Sequence, residues 1–544
     1  MAGRTLCSAA GLLIACQTTA WSATFAVNDL VDAIDAAPGN GVCATVHGTC
    51  TLRAAIQETN VLPGADQVTL AIGVHELTLD GADEDAAATG DLDITDALTI
   101  AGINAYLAVI DANGGDRVLD QIGQVLPGKL VLRDLTLTGG NASGDGGGLR
   151  FAHAVTAERI IVRDNRAGLN GGGLSSGSGP PPAAPALAMT GSIVSLNTAG
   201  QDGGGAWIVA VAKSSVAQSI VLANSADRSG GGLFVDGLDV PVRVERTTVY
   251  GNNGGTGAPS SSSFGGGAFL GGGKVTLDRS WVGHNRLGGW AAPPAGAGGG
   301  VSLAGSDAVI TNSTVENNLA EIGGGIMHFF NELTMTHATV ARNRAVVDGG
   351  ISYSTEFLTL LFQNNILAEN SHGNCIGLFP LTYAAGSGHN LTDDATCDFT
   401  APSDLANVDA KLGVLGDYGG PTQTIPPLAG SPALDGGGNA GVLVDQRGVT
   451  RPKFAGFDIG AVEKDRRVLR SRSPGSFIPH PHRCDLDRNG RVDFSDLSRL
   501  IGSFPAFGGR FRGNADRQLK SCVASCTQAG CPPVALIPKP RGRA

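Results

Sequence analysis

"ENNLAEIGGGI", residues 316–326, sets an asparagine six residues ahead of a run of three glycines. Glycine loses more backbone freedom on folding than any other residue, so three together need a structural reason. The unit recurs along the middle of the chain. Asn165 precedes Gly171, Asn197 precedes Gly203, Asn224 precedes Gly230, Asn317 precedes Gly323 and Asn343 precedes Gly349, each at an offset of six. Asn252 and Asn285 precede Gly265 and Gly298 at an offset of thirteen, and those gaps hold the additional "GGTGAPSSSSF" and "GGWAAPPAGA". Glycine runs begin at 146, 171, 203, 230, 265, 298, 323 and 349, with the shortest intervals 25 to 27 residues. A fixed period of this size is the mark of a solenoid.

The residues between the glycines say which solenoid. Each asparagine is preceded by a short Val, Ile and Thr-rich run: "ERIIVRDN", "GSIVSLN", "QSIVLAN", "RTTVYGN", "NSTVENN", "HATVARN". Such runs suit strands, and no segment here carries a helical period long enough for helix–loop repeats. Three short strands and three turns fit in about 25 residues at about 3.3 Å per residue. The reading is an all-β chain, a right-handed single-stranded parallel β-helix over 111–385 in which each coil pairs with the coils above and below. Glycine then supplies one tight corner per coil. The asparagine column supplies a second, its amide bonding the stacked neighbour.

Glycine makes up 82 of 544 residues, about twice ordinary usage, with no collagen-like triplet. The net charge of −11 conceals an asymmetry: residues 465–544 carry 15 Lys/Arg against 6 Asp/Glu, and residues 1–464 carry 23 against 43. A body with a balance of −20 argues against nucleic-acid binding. The basic tail reads as a solvated linker and small module, with contact to anionic envelope polymers left open.

The N-terminus has the order of an export signal: a basic start in "MAGRT", a short apolar core in "LCSAAGLLIAC" and a small-residue cleavage site after Ala23. In a second reading "LIAC" acts as a lipobox and places a lipid on Cys16. Both readings take the protein out of the cytosol, to an extracellular or outer cell-surface location. No later segment has the ~20 apolar residues that span a membrane. Removal of residues 1–23 leaves eight cysteines, an even number that in an exported chain suggests disulfides. Close spacing pairs Cys43 with Cys50 and Cys375 with Cys397. Cys484, Cys522, Cys526 and Cys531 allow three pairings, among which the sequence does not choose.

"CATVHGTCTLRAAIQETN", residues 43–60, differs from everything after it. Leu52, Ala55, Ile56 and Thr59 share one face of a short helix, as expected of a cap over the first coil within an N-terminal region 24–110. "CTLRAAIQETN" resembles the Cys-Ser-Leu-Arg-Glu-Ala segment of exported bacterial β-helix proteins, with Thr51 in place of Ser and Ala54 in place of Glu. "ATGDLDITDALTIAGINA" and "VIDANGGDRVLD" are similar to the first coils of that family. "GGPTQTIPPLAGSPALDGG" (419–437) with "DQRGVTRPKFAGFDIGAVE" (445–463) is similar to its C-terminal choice-of-anchor region. The resemblance covers roughly residues 24–463 and implies a β-helix, a C-terminal cap over 386–463 and a surface-associated life, without implying a reaction.

Beyond a basic, Pro/Ser-rich linker at 464–481 lies a module at 482–544 that opens with "DLDRNGRVDFSD" (485–496). Asp485, Asp487, Asn489, Asp493 and Asp496 stand at positions 1, 3, 5, 9 and 12 of a calcium loop. Arg491 offers its carbonyl at position 7, and Gly490 makes the sharp turn. Ca2+ needs six to eight hard oxygens, and this spacing wraps them round one point. "LSRLIGSF" supplies the exiting helix. The loop resembles a dockerin repeat, or EF-hand-like module, and the resemblance implies a cohesin-like partner. The second repeat a dockerin carries is not recognisable in "FRGNADRQLKSC".

Other motifs carry less. "GLSSG" (173–177) matches G-x-S-x-G but falls at a solenoid corner, without the strand–elbow–helix that gives the pattern meaning. The carboxylates of "DGADEDAAATGDLD" (80–93) read as a solvated turn. The histidines form no metal-type pair, and "GHN" at 283 and 388 lacks the neighbouring acids of a polygalacturonase-like site. Pectate-lyase-like solenoids include many enzymes, but a lyase needs a base beside a calcium cluster and a glycosidase needs two or three carboxylates on one face. The residues before the glycines are Asp145, Asn170, Asp202, Ser229, Phe264, Ala297, Ile322 and Asp348, with no recurring acid. The expectation is therefore a non-catalytic rod for adhesion or for binding a polysaccharide or surface protein, with no catalytic residue assigned. The alternative is a calcium-dependent lyase or glycosidase acting on a uronate polymer.

Overall fold

The computed structural model describes residues 22–465, apart from 83, 123–128, 178–184, 258–262, 289–295, 330–331, 355–358, 378–381 and 385. The calcium loop Asp485, Asp487, Asn489, Arg491, Asp493 and Asp496 lies outside the described residues, as do the last four cysteines and residues 1–21 of the export signal.

The described chain is a parallel β-helix, with strands stacked in sheets of 22, 12 and 8 strands. The 22-stranded sheet includes two strand positions of each coil. They fuse where Ala268–Asp278 and Val301–Thr311 run unbroken through the bend between them. Register is kept by side-chain alternation. Leu149, Leu174, Ala206, Leu233, Ala268, Val301, Ile326 and Ile351 face each other down the interior, all at most 2% exposed. Burying each Leu, Ile or Val contributes about 1.5–3 kcal/mol, and a one-residue slip would turn the whole column outward.

Glycine and asparagine prove to be one device. The first glycine of each run up to Gly323 turns the corner in the left-handed region, as at Gly203 with φ +68°. The next two need closeness to the neighbouring coil. A Cβ on Gly204 would sit 2.3 Å from the Gly231 carbonyl oxygen, and one on Gly205 would sit 2.5 Å from that of Gly232 and 3.0 Å from the Asn224 amide. The asparagine of each coil thus packs under the third glycine of the coil before. Its amide donates onward: Asn165 to Asn197 (3.0 Å), Asn197 to Asn224 (2.9 Å), Asn224 to Asn252 (3.0 Å), Asn252 to Asn285 (3.0 Å), Asn285 to Asn318 (3.0 Å), Asn318 to Asn343 (2.9 Å) and Asn343 to Asn370 (3.0 Å). A hydroxyl ladder lines another bend, where the Ser192, Thr247 and Ser313 oxygens accept from the backbone N–H groups of Ile160, Ser219 and Ser280. Both ladders satisfy turn amides that burial removes from water.

Two assignments shift by one residue. The ladder member in "ENNLAEIGGG" is Asn318, five residues before its corner, and Asn317 sits outside it with φ +51°. In the next coil the left-handed corner belongs to Asp348, φ +58°, rather than to Gly349. In register Gly323 faces Asp348, so the asparagine-to-corner distance stays at five there.

At the N-terminus a helix α1, Leu52–Val61, closes the first coil, with Thr51 as its cap accepting from the Ala54 N–H at 3.2 Å. Residues Leu52 to Thr59 are buried all round, where one apolar face is expected from the sequence. Its polar side is covered by residues 28–48: Glu58 accepts from the N–H groups of Gly39 (2.9 Å) and Gly41 (3.0 Å), and Gln57 from that of Asp35 (2.8 Å). Cys43 and Cys50 are disulfide-bonded beside it, and Cys375 and Cys397 near the other end, with Cα separations of 5.1 and 4.6 Å.

The C-terminal region does two jobs. Phe399 packs on Tyr383 and Phe362 next to Cys397 and continues the interior core at the last coils. Residues 405–463 then return along the outside of the 12-stranded sheet. Leu412, Ile425, Ala433 and Ile459 cover its outward Ile366, Ala341 and Ala368. This strap is pinned by "DQRG": Gln446 donates to the Ser280 carbonyl (3.1 Å) and accepts from Thr314 Oγ1 (2.7 Å). The fully buried pairs Arg447–Asp445 (2.7 Å) and Arg451–Glu463 (2.9 Å) hold its own turns.

Candidate functional site

One outward column of the 22-stranded sheet gathers the chemistry. Register carries it from Asp93 to Asp120, Arg150, Ser175, Trp207, Phe234, Phe269, Ser302, Met327 and Ser352, one residue per coil.

Its first rungs are charged and closed. Carboxylate oxygens of Asp91, Asp93 and Asp120 lie within 4.8 Å of one another, and all three residues are at most 2% exposed. The solvated turn expected at 80–93 is therefore corrected at its end: Asp91 and Asp93 are buried, because α1 holds the preceding loop over them. Arg53 of α1, fully buried, pairs with Asp32 at 2.6 Å and donates to the carbonyls of Ala87 (3.1 Å), Gly90 (2.8 Å) and Asp91 (3.2 Å). Arg117 donates to Asp91 (2.8 Å) and Asp120 (3.2 Å), and Arg150 grips Asp120 through both its Nε (2.9 Å) and an Nη.

Asp93 has no cation at hydrogen-bond distance. One oxygen accepts from the Ala87 N–H at 2.8 Å, and the other is buried without a partner. Burial, with the Asp91 charge second, pushes its carboxyl up to about 8. Burial also raises Asp91, but Arg117 opposes this, so the proton belongs on Asp93. The three oxygens are close enough to share a cation, yet the Arg117 guanidinium already bridges two of the acids, so a metal would have to displace it. As arranged, the donor set is a closed ion-pair network and does not fit a resident calcium.

The middle rungs are apolar and open. Trp207, Phe234 and Phe269 are partly exposed and stack on one another, with ring centroids 6.4 and 4.6 Å apart and interplanar angles of 23° and 11°. Past them Ser302 and Met327 are buried again, and Phe264 meets Phe329 edge to face at 4.9 Å.

A third group lies under the strap. Glu316, fully buried, receives the Trp281 indole N–H (3.3 Å) and the Asn317 amide (2.7 Å), with His284 at 3.4 Å. Burial pushes Glu316 up to about 7 and His284 down, and Tyr250 packs on both the indole and the imidazole. With no exposed surface, Glu316 anchors the indole and does not meet solutes. "GLSSG" forms the strand Leu174–Ser176, and α1 is the one helix among the described residues, so the hydrolase elbow is absent there.

No protein-family model matches the chain, and no curated protein is similar to it in sequence. Among solved structures it is similar to the A-module of the Azotobacter vinelandii mannuronan C-5 epimerase, at 16% identity over 67% of this chain and 90% of that one, with a TM-score of 0.36. It is also similar to a pectate lyase, at 14% identity over 82% and 98%, with a TM-score of 0.34. Among the described residues, no helix is long and apolar enough to cross a membrane.

The sequence lacks a recurring acid before the glycines, and that holds in space. Missed was an acid cluster away from the glycine corner, formed by the register partners Asp93 and Asp120 on successive coils with Asp91 beside them. The signal for it was the pairing of "GDLDI" with "RVLDQ" at a 27-residue spacing between Asp93 and Asp120.

Proposed function

We propose that this chain is an exported β-helix rod that binds polysaccharide on its outer face without cleaving it. The observation that carries the reading is the open strip Trp207–Phe234–Phe269. A chain with only 5% aromatic residues places three in register on successive coils, on the outer surface of the sheet. Exposed apolar rings gathered in a patch mark a binding surface, and the flat apolar face of a sugar ring suits a π face. A glycosidase needs two carboxyl groups across an open cleft. The clustered carboxyls described here are shut in: Asp91, Asp93 and Asp120 under the N-terminal loop, Glu316 under the strap.

The alternative, a calcium-dependent lyase or glycosidase on uronate polymers, is favoured by the triad beside Arg150. Against it, Arg150 is engaged by both carboxylate oxygens of Asp120 and is not free to take a proton. Calcium in this proposal belongs to the loop Asp485–Asp496, with a surface protein or cohesin-like partner for that module. The signal-like N-terminal sequence and the two disulfides support export.

The test is to incubate residues 24–544 with calcium and a panel of uronate and neutral polysaccharides, following unsaturated-sugar absorbance, reducing ends and pull-down together. Binding with no new chain ends is expected. New ends on any polymer would refute the non-catalytic reading.

A further inference from the structure

We infer that the polysaccharide held on the aromatic strip is an uncharged one, recognised by ring stacking and by the carboxylate of Asp236. This rests on the binding function proposed above and names its ligand class. The strip is bordered, on the next outward position of the same strands, by Val209, Asp236 and Gly271. Across these three coils the two outward columns contain one ionisable side chain, Asp236, and it is partly exposed. Its Oδ1 accepts the Leu238 N–H at 2.9 Å. That oxygen and Cε1 of Phe269 each lie 3.3 Å from where a Cβ on Gly271 would stand. A carboxylate and a ring therefore flank one patch that glycine leaves without a side chain.

That pairing suits a hydroxyl-rich ring, whose apolar face lies on the aromatic and whose O–H groups donate charge-assisted hydrogen bonds to the carboxylate. It opposes a uronate, whose carboxylate would meet Asp236 with no counter-cation in either column across these three coils, the nearest cation of the first column being Arg150, two coils back and bound to Asp120. Of the arginines at the margins of these coils, Arg243 pairs with Glu245 at 3.0 Å, and Arg228 stands ahead of the glycine corner, 3.8 Å from Asp202. Lys213 and Lys274 stand past the bend, in the next strand position. Residues 1–464, at a balance of −20, repel a polyanion at longer range as well.

The experiment titrates residues 24–544 with soluble neutral polymers (a β-glucan, a galactomannan) and with polygalacturonate and alginate, by affinity electrophoresis and calorimetry at low and high salt. A neutral polymer is expected to bind with little salt dependence and to quench tryptophan fluorescence. Trp207→Ala and Phe234→Ala should each weaken it about tenfold or more. Asp236→Asn should weaken it less and admit the polyuronates. Melting curves establish that each variant folds, and Phe269→Ala replaces any that does not. Preference for a polyuronate, lost in Trp207→Ala, would overturn the charge inference while leaving the binding face in place. Neutral binding that survives both ring substitutions would overturn the strip as its site. No binding to any polymer would overturn the proposed function itself.

Discussion

The outward column Asp93–Ser352 is one geometric line with two characters. At its start Asp93 and Asp120 are buried charges, and at its middle Trp207, Phe234 and Phe269 are partly exposed rings. Backbone register is the same in both places, so the difference comes from what lies over the sheet. Residues 28–48, α1 and the segment 84–91 fold across the first coils and bury three carboxylates and two arginines, whereas the middle coils leave their rings to solvent. An outward position on a solenoid is therefore not a surface position until the cover is known. Acids that look solvated in sequence, such as Asp91 and Asp93, can be almost fully buried.

The largest expected effect breaks the cover. Arg53→Ala leaves Asp32 buried without its cation and removes a donor from the carbonyls of Gly90, Asp91 and Ala87, of which Ala87 keeps the Gln57 amide, and should cost about 4 kcal/mol. Chemical denaturation measures this, and a loss under about 1 kcal/mol would mean that the cover does not depend on Arg53. Next comes the scaffold beneath the open strip. Asn224→Ala removes the donor to Asn252 and to the Val194 carbonyl and the acceptor for Asn197, at about 3 kcal/mol, read from the same denaturation curves. An effect as small as that of a surface substitution would show that the ladder accompanies the fold without stabilising it.

Asp93 sharpens the comparison through pH. Its folded carboxyl, at about 8 against an ordinary 3.8, holds a proton that the unfolded chain has released, so stability falls as pH rises from about 4 to about 8 and then levels. Asp93→Asn mimics the protonated acid. It should flatten that decline and stabilise the fold by about 1–2 kcal/mol at pH 8, visible in melting temperatures across the range. A parallel shift of the whole curve would instead mean that Asp93 does not titrate in this window. The smallest stability effect belongs to the open strip: Trp207→Ala should cost about 1 kcal/mol or less, because the ring is partly exposed and gives up one stacked neighbour. A greater loss would make Trp207 a structural ring rather than a binding one.

The sequence by itself determined the coil. A period of 25 to 27 residues, β-type runs and glycine corners leave no other economical backbone, since each coil can satisfy its amides only against the next. It also pointed to the helix at 52–61 and, through close spacing, to the two disulfides now placed at the ends. Tertiary structure alone decided the finer assignments. Asn318 replaces Asn317 in the ladder because the amide must lie under the third glycine of the preceding coil, a condition between coils that a count along one coil does not contain. Asp91, Asp93 and Asp120 became one cluster, and the DQRG segment a lateral strap, because long-range packing sets burial. Local pattern fixes which way a side chain points, and only the folded chain fixes what it meets there.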